Sequence, residues 1–193
     1  MTRDSYQPWH SRGYLPHFES EGIFQFVTFR LADSLPQTVL NKWKREVETD
    51  EITDIDFRRR IERYLDQNYG YCYLKDVRVA GCIRETLLKF HDEKYRLISW
   101  VVMPNHVHIL IRLLGSNKLS AIMHSIKSFT ASESNRILHR RGSFWFKESF
   151  DRFIRDDKHF YATIRYIENN PVKARFCDDP SEWEFSSAYN KLT

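Results

Sequence analysis

Trp100-Val-Val-Met-Pro-Asn-His-Val-His-Ile-Leu-Ile-Arg112 is the stretch on which the fold turns. An apolar run reaches Pro104-Asn105, reverses, and returns with two histidines one residue apart. The connection is too short for anything but an antiparallel hairpin, which predicts strands over Tyr95–Met103 and His106–Leu113. Alternate residues of a strand share a face, so His106 and His108 stand together while Val107, Ile109 and Ile111 point the other way. Two neutral imidazoles side by side on an exposed sheet face can clamp a divalent metal once further ligands join them. The same alternation also describes ordinary half-exposed strand histidines, and the spacing alone leaves both readings open.

Outward from the hairpin, Gly22-Ile-Phe-Gln-Phe-Val-Thr-Phe-Arg-Leu31 largely alternates apolar and polar residues and predicts another strand. Residues 1–21 mix Pro, Gly, His and Ser without periodicity and read as an irregular arm, with Trp9, Tyr14 and Phe18 able to dock on the body or stack on a base. Between the first strand and Asp76, residues 36–75 carry two helical patterns, Val39/Leu40/Trp43/Val47 and Phe57/Ile61/Tyr64/Leu65, which read as an insertion with no chemistry of its own. Asp76 is placed to cap a further helix with Val79, Ile83, Leu87 and Phe90 as its buried stripe.

After the hairpin, Leu119 to His139 reads as a helix with Leu119, Ile122, Ile126, Phe129 and Ile137 inward and Lys127, Ser128 and Arg136 outward. Phe144-Trp-Phe146 suggests a fourth strand. A last helix starts at Asp156-Asp157, buries Phe160, Ile164 and Ile167, and ends at Pro171. The turn-rich tail from Asp178 to Ser187 is expected to be tied down by its aromatics. Strand, helix, two strands, helix, strand, helix is the order of an α+β ferredoxin-like sandwich with helices on one face of an antiparallel sheet and an added C-terminal helix.

The whole chain bounds these readings. Its 193 residues fit one domain with a sizeable core. Three cysteines without CxxC spacing argue against a cysteine-zinc site and fit a reducing cytoplasm. No apolar stretch approaches a membrane span and no hydrophobic signal region opens the chain, so a cytoplasmic protein is expected. A net charge of +4 with 15% aromatic residues permits nucleic-acid binding.

On the last helix Tyr166 and Asn170 are four apart and share a face. Tyr166 can be a packing residue with its hydroxyl at the rim. It can also be a nucleophile, with Asn170 lending a carbonyl oxygen to a metal on the histidine pair, if a neighbouring charge, base or metal-activated phosphate compensates for a phenol pKa of about 10.

Three ordered motifs, Met103-Pro-Asn-His-Val-His-Ile-Leu110, Phe144-Trp-Phe-Lys-Glu-Ser-Phe-Asp-Arg-Phe-Ile-Arg-Asp156 and Tyr166-Ile-Glu-Asn-Asn-Pro-Val-Lys173, resemble the IS200-like single-tyrosine transposases, most closely the branch associated with repetitive extragenic palindromes. The resemblance implies that His106 and His108 are the metal pair, Asn170 the third protein ligand and Tyr166 the catalytic tyrosine. Many relatives carry glutamine in place of Asn170. It further implies a Mg²⁺ or Mn²⁺ cofactor and single-stranded DNA beside hairpins as substrate. Cleavage would proceed through a 5′-phosphotyrosine, in a monomer or a homodimer associated with the nucleoid. Arg112, Lys127, Arg152 and Arg155 are the candidate DNA contacts. A metal-dependent hydrolase using water and a domesticated hairpin-binding protein are the competing readings.

Overall fold

In the computed structural model the described residues are Trp9–Ser11, Pro16–Phe18 and 22–189, with side chains described from residue 22 on. The arm is not wholly irregular: β1 (Trp9–Ser11) and β2 (Pro16–Phe18) pair antiparallel, with Trp9 opposite Phe18, while Tyr14 lies outside the described residues. The main sheet contains β3 (Phe24–Arg30), β4 (Tyr95–Val102), β5 (His106–Leu113) and β6 (Phe150–Phe153), all antiparallel in the order β4-β5-β3-β6. The chain turns from β4 into β5 at Pro104-Asn105, where the Met103 amide donates to the His106 carbonyl.

Six α-helices complete an α+β fold among the described residues: α1 (Gln37–Glu48), α2 (Asp54–Leu65), α3 (Val77–Lys89), α4 (Leu119–Ile137), α5 (Asp157–Glu168) and the short α6 (Asn170–Lys173). Caps fix their starts. Thr53 and Asp56 form a capping box on α2, Asp76 accepts the Arg78 amide on α3, and Asp156 accepts the His159 amide on α5. None of these helices is long and apolar enough to cross a membrane.

Helices α3 and α4 lie on one face of the sheet, and the added helix α5 covers the other. On one side, Val27, Phe29, Val107, Ile109 and Ile111 pack against Val79, Ile83 and Leu87 of α3 and Leu119, Ile122 and Ile126 of α4. Each such fully buried side chain is worth about 1.5–3 kcal/mol relative to exposure. On the other side, Phe26, Val101, Met103 and Leu110 meet Ile167, Ile164 and Phe160 of α5. The inserted α1 and α2 build a third cluster from Leu40, Phe57, Ile61 and Leu65, which leans on Phe146 and Phe150.

Three local expectations are corrected. The fourth strand is Phe150–Phe153, because Phe144 and Trp145 are drawn into the core instead; Trp145 Nε1 donates to Thr130 Oγ1 at 2.9 Å and only a single bridge links it to Leu31. Phe129 on α4 faces out at 55% exposure, while Lys127 turns inward and donates to the carbonyls of Phe146 and Lys147 at 2.7 and 2.8 Å. Pro171 does not end the helical run. Helix α5 stops at Glu168, and Pro171 sits in the first turn of α6, where its missing amide hydrogen costs nothing. The tail is tied down as expected, with Trp183 Nε1 donating to the Val102 carbonyl and Ser187 to that of Trp100.

Candidate active site

Register builds the site. On β3 and β5, Thr28 lies opposite His108 and Arg30 opposite His106, and on β6 Arg152 lies opposite Phe26, so all five polar side chains point to the α5 side of the sheet. His106 and His108 do share a face and their Nε2 atoms are 3.1 Å apart, but that face is not open: both residues are 0% exposed.

Hydrogen bonds at the outer nitrogens aim the rings. Asn105 Nδ2 donates to the Tyr69 carbonyl at 3.0 Å, which turns its Oδ1 onto His106 Nδ1 at 2.7 Å. An amide oxygen only accepts, so His106 carries its hydrogen on Nδ1 and leaves a lone pair on Nε2. His108 Nδ1 meets the Thr28 hydroxyl at 2.7 Å, a group that can either donate or accept. With the hydroxyl donating, His108 Nε2–H can donate to His106 Nε2. With the hydroxyl accepting, both Nε2 lone pairs converge on one point. Two metal–nitrogen bonds of roughly 2.1 Å at a right angle span roughly 3.0 Å, so the pair has the bite a divalent ion requires. Burial first, then the Lys173 ammonium, pushes the His106 pKa down to about 3. Burial, His106, Arg152 and Lys173 together hold His108 well below its ordinary value. Both rings are therefore neutral near pH 7, the state that ligates.

Helix α5 brings the second half. The Tyr166 ring stands edge-on to His108, centroids 5.4 Å apart, and to Phe26 at 5.9 Å. Its hydroxyl lies beside the Asn170 amide, and the hydroxyl and both amide atoms are buried without a hydrogen-bond partner that meets standard geometry. No group of three or more His, Cys, Asp or Glu side chains suited to a metal occurs among the described residues. The buried Asn170 Oδ1 is a neutral oxygen that could serve as a third protein ligand. Burial, then Glu62 and Asp66 of the insertion, raises the Tyr166 pKa, while Arg152 and Asn170 act in the opposite sense. Asp66 is itself ion-paired with Lys173.

Of the candidate DNA contacts only Arg152 belongs to this cluster, its guanidinium 4.6 Å from the Phe26 ring centre. Arg112 is on the same face at the far end of β5, over Phe24 at 5.8 Å. Arg155 is exposed beyond β6, and Lys127 is on the α3–α4 side. Sequence reasoning passed over Thr28, Asn105, Arg30, Glu62, Asp66 and Lys173. Asn105 and Lys173 sit inside recognised motifs, and Thr28 interrupts a strand; Glu62 and Asp66 come from the insertion and carried no signal.

Comparison with known proteins adds three findings. Residues 74–170, half of the chain, match the family model described as transposase IS200 like. A REP-associated tyrosine transposase of Escherichia coli is 28% identical over 57% of this chain and 65% of its own length, and a Haemophilus influenzae protein described as a REP-associated tyrosine transposase is 26% identical over 51% and 61%. The chain thus spans less than two thirds of the length of either curated relative. A solved structure of a REP-associated tyrosine transposase bound to a REP hairpin superposes with a TM-score of 0.55 over 92% of this chain and 81% of that one, at 19% identity, which shows a shared fold.

Proposed function

The chain belongs to the IS200-like transposase family, and on that premise we propose that it cuts and rejoins single-stranded DNA beside hairpins. Tyr166 is the nucleophile in this reading, and His106, His108 and Asn170 would hold a Mg²⁺ or Mn²⁺ ion. The observation that carries it is the pair of Nε2 atoms 3.1 Å apart beneath the Tyr166 ring, whose centre is 5.4 Å from that of His108, with the Asn170 amide beside the tyrosine hydroxyl. The strand order β4-β5-β3-β6, read as a ferredoxin-like sandwich, supports it. So does the hairpin bound by the structurally similar protein, from which we take a REP-type hairpin as substrate.

An ion held by these residues would supply Lewis-acid polarisation of a non-bridging phosphate oxygen. Tyr166 attacks phosphorus in line; the tyrosine O–P bond forms, the P–O3′ bond breaks, and the proton lost by the phenol is matched by the one O3′ gains as it leaves as a hydroxyl. The 5′-phosphotyrosine keeps the bond energy, so a 3′-hydroxyl can reverse the step without a nucleotide cofactor. Arg152 supplies positive charge beside the tyrosine, and Thr28 and Asn105 hold the imidazoles in orientation. A cytoplasmic, nucleoid-associated location is the corresponding proposal.

The test is incubation with labelled hairpins bearing single-stranded flanks and Mn²⁺, followed by a denaturing gel. A boiling-resistant adduct mapped to Tyr166 supports the reading. Cut strands without an adduct would point to a hydrolase, and binding without cutting to a hairpin-binding protein.

A further inference from the structure

The segment after α2 holds an exposed tyrosine in a built geometry. Tyr71 is 77% exposed, yet its ring stacks on Tyr73, centroids 5.3 Å apart and planes within 17°, and Tyr73 in turn stacks on Phe144 at 6.1 Å. Arg140 backs this ladder, its guanidinium 4.6 Å from the Tyr73 centre and 5.6 Å from Phe144, and it pairs with no carboxylate among the described residues. Cys72, between the two tyrosines, has φ 52°, a left-handed conformation that L side chains rarely adopt. The Tyr71 amide is pinned to the Asp33 carboxylate at 2.8 Å, and Gly70 before it has φ 92° and no room for a Cβ against Asp33. A strained, anchored backbone that presents one aromatic face to water gains little packing from it. Such a face suits a flat apolar ligand.

The same segment is tied to the metal pair. The Leu74 amide donates to the Pro104 carbonyl, and the Tyr69 carbonyl accepts from Asn105, whose Oδ1 aims His106. These bonds hold the tyrosine segment against the Pro104-Asn105 turn, which precedes His106 directly in the chain. Every base offers a π-face, and Arg140 adds the positive charge that a phosphate backbone seeks.

We propose that Tyr71, stacked on Tyr73 and backed by Arg140, is the platform for an unpaired base of the single strand that flanks the hairpin. This rests on the transposase reading above. The probes are a DNA hairpin with single-stranded flanks carrying 2-aminopurine at successive positions, and the same hairpin with no flanks. The wild type should quench the fluorophore at one or two flank positions. Tyr71→Ala should abolish that quenching and weaken binding of the flanked hairpin roughly 5- to 150-fold, the range for one stacked base. Binding of the blunt hairpin should be unchanged, and Tyr71→Trp should retain the flank preference. Equal affinities of wild type and Tyr71→Ala for the flanked hairpin, or an equal loss on both probes, would overturn the platform. If the wild type still forms its covalent adduct in that case, only the platform fails; if it forms no adduct and ignores the flanks, the transposase reading fails with it.

Discussion

The two faces of the central sheet are made by the same strands and do opposite work. Toward α3 and α4, β3 and β5 present Val27, Phe29, Val107, Ile109 and Ile111 to a continuous apolar core. One residue along in each case, they present Thr28, His106 and His108 toward α5 and Arg30 to the Phe146 ring, equally buried but hydrogen-bonded, charged or left with unpartnered atoms. Burial of a polar group costs free energy unless its bonds are made, so the second face is held at the expense of the first. The difference teaches where to look for function in this fold: stability is concentrated on one face, and chemistry is stored on the other.

The largest separable effect should come from the apolar face. Ile109→Ala empties a fully buried site and should cost about 2–5 kcal/mol in a denaturant titration, with cleavage per folded molecule retained. Loss of cleavage at saturating folded protein would mean that the faces are not independent.

Acid should probe the other face next. The His106 pKa is depressed to about 3, so the folded state binds fewer protons than the unfolded state below the ordinary value of 6.5. Stability must therefore fall as pH falls below about 6.5, by about 1.4 kcal/mol per pH unit for each histidine so held, and the loss is complete only near the folded pKa. Lys173 and Arg152 sharpen the effect by disfavouring an imidazolium. In EDTA, the unfolding midpoint should drop clearly between pH 6.5 and 5. A flat profile would show that the pair is not buried as described.

A smaller effect tests the support of the pair. Thr28→Val keeps the shape and removes the partner of His108 Nδ1, so Mn²⁺ affinity should weaken roughly 10- to 100-fold, as followed by titration calorimetry, while the fold persists. Unchanged affinity would remove Thr28 from the site.

How much of this was legible depended on distance along the chain. The hairpin at Pro104-Asn105 and the alternation of His106 and His108 are local, so their common face could be read directly. That the face is sealed could not, because the cover comes from α5, from Lys173 and from Asp66 more than a hundred residues before it, and no local pattern encodes that packing. Phe144-Trp-Phe146 misled because consecutive aromatics satisfy a strand propensity and a core plug equally well, and only tertiary packing chose the plug. Lys127 reads as surface from its spacing, yet its ammonium holds the loop that follows. Tyr166 and Asn170 were placed together by helical spacing, although the chain breaks between α5 and α6 at Asn169 and still keeps their side chains adjacent.

The central claim is that Tyr166 makes the covalent bond to DNA, and one substitution addresses it. Tyr166→Phe removes one oxygen, which makes no hydrogen bond of standard geometry, and keeps the ring against His108 and Phe26, so melting temperature and hairpin binding should be nearly unchanged. With flanked hairpin and Mn²⁺, the wild type should give an adduct that survives boiling in detergent, and Tyr166→Phe should give none. An adduct undiminished in Tyr166→Phe would contradict the account and move the nucleophile elsewhere, with the exposed Tyr161 on the same helix the first to examine.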